Sequence, residues 1–238
     1  MLSVIVPTYN ECGALPELIE RLAATFREGQ LDAEIVVVDD NSPDGTAALA
    51  EQLALQYPVR VLRRPGKLGL ASAVLDGLKL ARGDSIAVID ADLSHPPEAL
   101  LAMVRAVEQD GVDLAVGSRY IPGGGMEDWP LTRQVVSMVA NRLTAALTPV
   151  HDATSGFFVV RRRALEGVSL NPIGFKIGLE VIARAHYQTY KEIPYVFTDR
   201  KHGFSKFTHR EVVVFLKQLV ILYGDKYRHR LFVARSKV

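Results

Sequence analysis

The chain is short of several things at once, and each shortage removes a class of protein. It has one cysteine, Cys12, among 238 residues. A disulfide framework is therefore excluded and a reducing compartment is expected. Net charge is nearly absent: 28 Lys and Arg against 27 Asp and Glu leave +1. That balance does not suit a protein built on bulk electrostatic attraction to nucleic acid. Long apolar runs are missing too. The nearest, "VVVFLKQLVILYG" at 212–224, is interrupted by Lys217 and Gln218 and falls short of the about 18 residues expected of a membrane span. The opening "MLSVIVPTYNE" lacks the basic start and long apolar core of a signal peptide and reads as a strand. No G-x-x-x-x-G-K-[ST] is present, no G-x-G-x-x-G follows a strand, and "GKLGL" at 66–70 has the wrong spacing for either. Phosphate handling is left to a metal ion and to arginines. The expectation is a chain that is soluble or attached only peripherally to a membrane.

What is present is alternation. Short β-branched runs at 2–6, 34–38, 59–63, 85–89 and 114–118 are separated by "ALPELIERLAATFRE", "DGTAALAEQLALQY", "GLASAVLDGLKLA" and "PEALLAMVRAVEQD". Each of these longer segments places apolar residues three and four apart, the mark of an amphipathic helix. Strands alternating with such helices predict an α/β fold with a Rossmann-like, mostly parallel sheet and helices on both faces. Ser42 before Pro43, and His95 before Pro96, read as helix starts. Beyond about residue 120 come a glycine-rich loop at 121–130 and a helix at 131–147. Strands at 155–162 and 191–197 flank a helix at 176–187, and an amphipathic helix at 209–227 ends the ordered pattern. No repeat or linker is evident. The reading is one domain over 1–225 and a basic C-terminal tail over 226–238.

Ligands of open parallel sheets bind outside the carboxyl ends of the strands. Three of those ends are acidic or polar here. The first strand runs into Pro7, Thr8, Tyr9, Asn10 and Glu11, the second into Asp39, Asp40, Asn41 and Ser42, and the fourth into Asp90 and Asp92. In extended chain, residues i and i+2 point the same way, so Asp90 and Asp92 are placed to converge on one hard divalent cation, Mg²⁺ or Mn²⁺. Such an ion offsets their repulsion and takes up charge on a departing diphosphate. Plainer alternatives stand beside these readings. Aspartates in a loop need no function, and Asp39 and Asp40 are also placed to cap the following helix. Asp39, next to the buried run, suits a base or ribose. Tyr9 is either a turn aromatic or a platform for a nucleobase. His95 and His151 stand alone, without metal-ligand spacing, and are read as capping or packing residues.

Six segments, "VPTYNE", "VVVDDNSPDGT", "DADLSHPPE", "GSRY", "TSGF" and "FTDRKHGFSKF", follow one another in an order that resembles the dolichol-phosphate mannosyltransferases (polyprenol monophosphomannose synthases) of glycosyltransferase family 2. The resemblance runs from residue 3 to about 225. It implies a GT-A fold and inverting transfer of mannose from GDP-mannose to a polyprenyl (dolichyl) phosphate. It also implies that Pro7, Tyr9, Glu11 and Asp39 hold the guanosine part of the donor, with Val37 beside the base. Asp90 and Ala91 would contact ribose or diphosphate, and Asp92 would ligate the metal. Arg119 would stand on the donor side, Arg133 and Ser137 would face the acceptor phosphate, and Arg200 and Lys206 would close over the diphosphate. Some relatives carry glutamine in place of Ser94; a serine is shorter, so a bridging water is expected there instead of direct ligation. Compact relatives without membrane spans can depend on small membrane-anchoring subunits.

A phosphate monoester has a second pKa of about 6, so this acceptor is an anionic nucleophile near neutral pH and needs positioning and charge screening without proton abstraction. Asp92 with its metal, Arg119, Arg133 and Arg200 are the residues expected to supply that screening. A polyprenyl acceptor stays in its bilayer, so peripheral contact with the cytoplasmic face of a membrane is expected. The segment beyond 225, with Lys226, Arg228, Arg230, Arg235 and Lys237, is the candidate contact, while 209–224 reads equally as a helix packed on the domain. Two other readings remain open: a family 2 enzyme using another nucleotide sugar such as UDP-glucose, or another acceptor, and a nucleotide-binding module without catalysis.

Overall fold

The computed structural model describes residues 1–127, 129–171, 173–199 and 209–235, the side chains of 209–210 and 229–235 excepted. The elements run β1 (Leu2–Thr8), α1 (Leu15–Gly29), β2 (Ala33–Asp39), α2 (Thr46–Leu53), β3 (Val59–Arg63), α3 (Leu70–Leu80), β4 (Ser85–Val88), α4 (Ala99–Glu108) and β5 (Leu114–Ser118). They continue with β6 (Gly125–Glu127), α5 (Leu131–Thr144), β7 (Phe158–Arg161), a 3-10 turn (Arg162–Leu165), α6 (Ile177–Arg184), β8 (Tyr190–Pro194), β9 (Val196–Thr198) and α7 (His209–Arg235).

A seven-stranded sheet in the order β3-β2-β1-β4-β7-β5-β8 forms the centre. All its pairings are parallel except those of β7, which runs antiparallel between β4 and β5. The expected mostly parallel sheet with helices on both faces is what forms. Central strands of such a sheet are buried on both sides, and β1 is buried at every position. Val4, Val6, Ile35 and Val37 pack with α1 and α4, while Ile5, Val36 and Val38 pack with α3, α6 and α7. Leu15, Leu18, Ile19, Leu22 and Phe26 supply the inward stripe of α1. Each large aliphatic residue buried this way contributes about 1.5–3 kcal/mol.

Several expected boundaries move, each for a local reason. No helix starts at Ser42: the Asp39 carboxylate takes the Ser42 N–H (2.9 Å) and hydroxyl (2.6 Å) into a turn, and α2 begins at Thr46, where Asp44 accepts the Thr46 N–H at 3.0 Å. Nor does one start at His95. Three-residue turns from Pro96 and Pro97 precede α4, and His95 is buried. The strand expected at 191–197 is two strands, because Tyr195 switches sheets: its N–H still donates to Ser118 of β5, while its carbonyl accepts the N–H of Gly125 of β6. The glycine-rich loop contains β6, which pairs parallel with β9. The last helix runs to Arg235 and crosses the expected boundary at 225 without a break.

Asp113 binds the two ends of this sheet edge together. Its carboxylate accepts from Arg163 (2.9 Å) and from the backbone N–H of Gln188 (3.0 Å) and Thr189 (3.2 Å). Burial pushes the carboxyl up, but these hydrogen bonds outweigh it and hold the pKa at about 2. A depressed folded-state pKa gives stability that is present above the ordinary value near 4 and is lost as pH falls through 2. Asp113→Asn is expected to cost about 1–3 kcal/mol at pH 7 and to flatten the loss of stability between pH 4 and 2. Denaturant unfolding across that range checks it, and an unchanged wild-type profile would contradict it.

Candidate active site

Because β2, β1 and β4 are adjacent and parallel, with Thr8 opposite Asp39, their carboxyl ends open onto one crevice. Each end turns through a left-handed residue: Asn10 (φ 60°), Asn41 (φ 59°) and Leu93 (φ 64°). Asparagine adopts this conformation readily; leucine pays about 1 kcal/mol or more for it. What Leu93 gains is a reversal that brings the Ser94 N–H to Asp92 at 3.1 Å and the Ser94 hydroxyl onto the same oxygen.

The first two corners are laced together. The Asn10 N–H donates to Ser42 (3.0 Å), that of Glu11 to Thr46 (3.0 Å) and that of Cys12 to Asp44 (3.1 Å). Asp39 is buried and accepts the Thr8 hydroxyl (3.0 Å) besides its bonds to Ser42. Asp40 does not cap the following helix. It meets buried Arg64 at 2.5 Å and accepts the N–H groups of Leu68 (3.1 Å) and Gly69 (2.7 Å), fixing the loop before α3. From that loop Lys67 lies 3.8 Å over the Tyr9 ring, so one face of the expected nucleobase platform carries an ammonium. Pro7 and Ala91 are buried. Val37 is a fully buried core residue, so its side chain does not stand beside a ligand in the crevice.

At the third corner, Asp90 is partly exposed and Asp92 buried. The Asp90 N–H points to Nδ1 of His95 at 3.3 Å, which places the histidine proton on Nε2. Burial pushes the His95 imidazole down, outweighing the opposite pull of Asp90 and Asp92. Its ring stacks on Phe157 at 5.1 Å and meets Tyr195 and Phe197 edge-on, so the packing role expected of it holds. Two carboxylates are hard oxygen donors. No group of three or more His, Cys, Asp or Glu able to hold a metal occurs among the described residues. The extended-chain expectation for 90–92 does not hold, since β4 ends at Val88 and Ala91 and Asp92 lie in a turn. As hard oxygen donors the two carboxylates suit Mg²⁺ or Mn²⁺, ions that take the rest of their shell from substrate oxygens and water. Ser94 is buried and turned onto Asp92. It supports that carboxylate instead of standing as a third ligand.

Two arginines near this corner, Arg119 and Arg133, form a cationic wall, each already paired with an aspartate. Arg119, just past β5, is buried and grips buried Asp152 at two points, Nε to Oδ2 at 2.7 Å and Nη2 to Oδ1 at 2.8 Å, with its backbone N–H also on Oδ2 at 3.0 Å. Burial pushes the Asp152 carboxyl up, but Arg119 outweighs it and holds the group below the ordinary carboxylate range. Arg133 on α5 pairs with Asp199 at 3.1 Å. The chain's single tryptophan, Trp129, lies between the two, with Arg133 4.2 Å and Arg119 5.5 Å from its ring.

α5 is inside-out. Arg133, Ser137, Asn141 and Thr144 lie on its inward, half-buried to buried side, and Asn141 reaches Asp152 at 3.2 Å. Its outward side is apolar, with Leu131 77%, Met138 58% and Val135 56% exposed. Arg200 and Lys206 lie outside the described residues. Sequence reasoning missed Asp152, Trp129 and the lysine at 176, although "HDATSGF" holds the first of these two residues before the segment singled out. His151, also read as a lone residue, is tied at 2.7 Å to Glu192.

The family model described as Glycosyl transferase family 2 matches residues 3–168. A dolichol-phosphate mannosyltransferase of Pyrococcus furiosus is 43% identical over 222 residues, covering 92% of this chain; the chain spans 62% of that relative's length. A polyprenol monophosphomannose synthase of Mycolicibacterium smegmatis is 42% identical over 215 residues, 85% of this chain and 79% of the relative. Among solved structures, mannosyl-3-phosphoglycerate synthase from Rubrobacter xylanophilus superposes with a TM-score of 0.70 at 21% identity, covering 97% of this chain and 75% of its own. At that identity the likeness is one of fold.

The geometry makes a specific demand on Asp152. Asp152→Ala leaves the Arg119 guanidinium buried without its counter-ion, a loss of about 3–5 kcal/mol. Thermal unfolding checks it; a melting temperature equal to that of the wild type would show that the pair holds nothing together.

Proposed function

The chain belongs to glycosyl transferase family 2, and from that premise we propose that it transfers mannose from GDP-mannose to a polyprenyl (dolichyl) phosphate, with inversion at the anomeric carbon. The observation that carries the reading is that an acidic corner, Asp90 and Asp92, lies near two arginines, Arg119 and Arg133, each itself paired with an aspartate. Such a site suits two phosphate-bearing substrates that repel each other across a sugar. The names of the relatives at 42–43% identity support mannose as the sugar and a polyprenyl phosphate as the acceptor.

In this reading the corners after β1 and β2 hold the nucleoside, with Tyr9, Glu11 and Asp39 as its contacts. Asp92 and Asp90 hold Mg²⁺ or Mn²⁺, which when bound neutralises charge on the diphosphate. Arg133 and Ser137 orient the acceptor phosphate from the inward side of α5, and Arg119, at the end of β5, stands on the donor side. Arg200 and Lys206 remain proposed contacts of the diphosphate. A phosphate oxygen attacks the anomeric carbon as the bond to the β-phosphate oxygen breaks, and GDP leaves with the electron pair. With a second pKa of about 6 the phosphate is already ionised, so no side chain has to take a proton. The neutral, buried His95 packs Asp90 in place and is not asked to act as a base.

The inside-out α5 extends the reading to the membrane. Apolar side chains facing outward on a helix whose polar side faces the site suit a surface that meets lipid. This puts the proposed peripheral contact on α5 besides the segment beyond 225. No helix among the described residues is long and apolar enough to cross a membrane. Small membrane-anchoring subunits and a place on the cytoplasmic face belong to the same proposal.

Incubation with labelled GDP-mannose, Mg²⁺ and polyprenyl phosphate is expected to give an organic-extractable mannosyl lipid, and Asp92→Ala to lower its rate at least about a hundredfold. Labelled product from UDP-glucose and none from GDP-mannose would move the reading to another family 2 enzyme; no transfer from any nucleotide sugar would leave a binding module. For the membrane contact, Val135→Asp with Val139→Asp is expected to abolish sedimentation with anionic vesicles without lowering the melting temperature. Unchanged sedimentation would contradict it.

A further inference from the structure

Lys176 stands immediately before α6, and its main chain is held on two sides. Its carbonyl accepts from Gln218 of α7 at 3.2 Å and from the Glu180 N–H at 3.4 Å. Two residues on, Gly178 lies so close to the Ser155 carbonyl that any side chain there would collide with it. The start of α6 is thereby pressed against the 152–156 loop. The Lys176 ammonium crosses to that loop and donates to the Thr154 carbonyl at 2.9 Å. Thr154 is also where Arg119 Nη2 finds the Thr154 hydroxyl, at 3.2 Å. Two residues further along, a side chain at Gly156 would sit 3.6 Å from the Asp90 carboxylate. One short loop therefore gathers Arg119, Lys176 and the edge of the acidic corner.

The lysine's own contacts are unbalanced. An ammonium has three donors, and among the described residues Lys176 makes one side-chain hydrogen bond, to a neutral carbonyl, with the Phe175 ring 5.0 Å away. Among the described residues it forms no ion pair, and the nearby Asp152 is gripped at two points by Arg119. Burial, with Arg119 alongside, pushes the ammonium down to about 8 against the pull of Asp152 and Asp90. Keeping a cation in that setting without a counter-ion costs stability, unless an anion arrives to meet it.

We propose that Lys176 is a binding residue for a phosphate group that enters beside Arg119 and Arg133, completing the cationic wall. The inference rests on the glycosyltransferase reading above for the identity of the phosphate, which is either the acceptor's monoester or the donor's diphosphate. Its alternative is a structural strut that only ties α6 to the 152–156 loop.

Trp129, between Arg119 and Arg133, serves as the reporter. Its fluorescence is titrated with a short-chain prenyl phosphate and, separately, with GDP and Mg²⁺, in the wild type, Lys176→Met, Lys176→Gln and Lys176→Arg. Lys176→Gln removes the charge and keeps an N–H donor on the side of Thr154, one bond shorter than the lysine. The proposal expects Lys176→Met and Lys176→Gln to weaken one of the two ligands about tenfold or more, and Lys176→Arg to stay within a few-fold of the wild type. Weakening of the prenyl phosphate assigns the acceptor; weakening of GDP assigns the donor. If Lys176→Met does not fold, Lys176→Gln carries the comparison. Wild-type affinity for both ligands in Lys176→Gln would overturn the proposal and leave the strut. Because the titration needs no turnover, a wild-type chain that binds but transfers no mannose would sink the functional reading without deciding Lys176.

Discussion

The buried pair of Arg119 and Asp152 is the joint of this molecule. Arg119 comes from the end of β5 and Asp152 from the loop before β7, the strand that runs against the direction of its neighbours. A buried ion pair adds little net stability over an apolar contact of the same size, but losing either partner strands the other. Its contribution here is geometric. With Asn141 of α5 and Thr154 on the same network, the pair sets the inward face of α5, the course of the 152–156 loop and the distance at which a cationic wall stands from Asp90. Aromatic rings of Trp129, Tyr120 and Phe197 surround the guanidinium, so it is shielded from water as well as held.

The crevice handles charge by separation. Three parallel strand ends bring acids to one edge, and their mutual repulsion is met by hydrogen bonds from Ser42, Thr8 and Ser94 and by the buried Arg64 beside Asp40. The opposite side carries arginines and the half-buried Lys176. Asp40, Arg119 and Arg133 are already paired, with Arg64, Asp152 and Asp199; the proposed ligands, a divalent cation on one side and phosphate on the other, add to these pairs instead of replacing them. In the proposed function, a helix with its apolar side outward and its polar side inward would let a lipid phosphate reach the wall while its hydrocarbon stays outside.

Much of the fold was legible in the sequence because it rests on local periodicity. The five β-branched runs before residue 120 each became a strand, and the four apolar-periodic segments between them each became a helix. What the sequence hid were contacts made at long range. Asp40 looked like a helix cap because "NSPDGT" follows it, yet its partners are Arg64, Leu68 and Gly69, some 24 to 29 positions away. Val37, placed beside a base by family likeness, is fully buried in a strand with core on both faces, which leaves its main chain for any such contact. Asp152 was signalled only by its place two residues before "TSGF", and Lys176 by nothing local; the fold around β7, between β4 and β5, brings them together. Helix α5 was legible as a helix, but not which way it faces: its apolar residues point outward, and its inward positions are Arg133, Ser137 and Asn141.

The claim on which the rest hangs is that a metal-bound diphosphate lies between the acidic corner and the cationic wall. Crystals soaked with GDP-mannose and Mn²⁺ test it most directly, through anomalous scattering at the manganese edge. The account predicts a manganese peak within coordination distance of Asp92, with the diphosphate between it and Arg119. Nucleotide bound with no anomalous peak near Asp90 or Asp92 would contradict it.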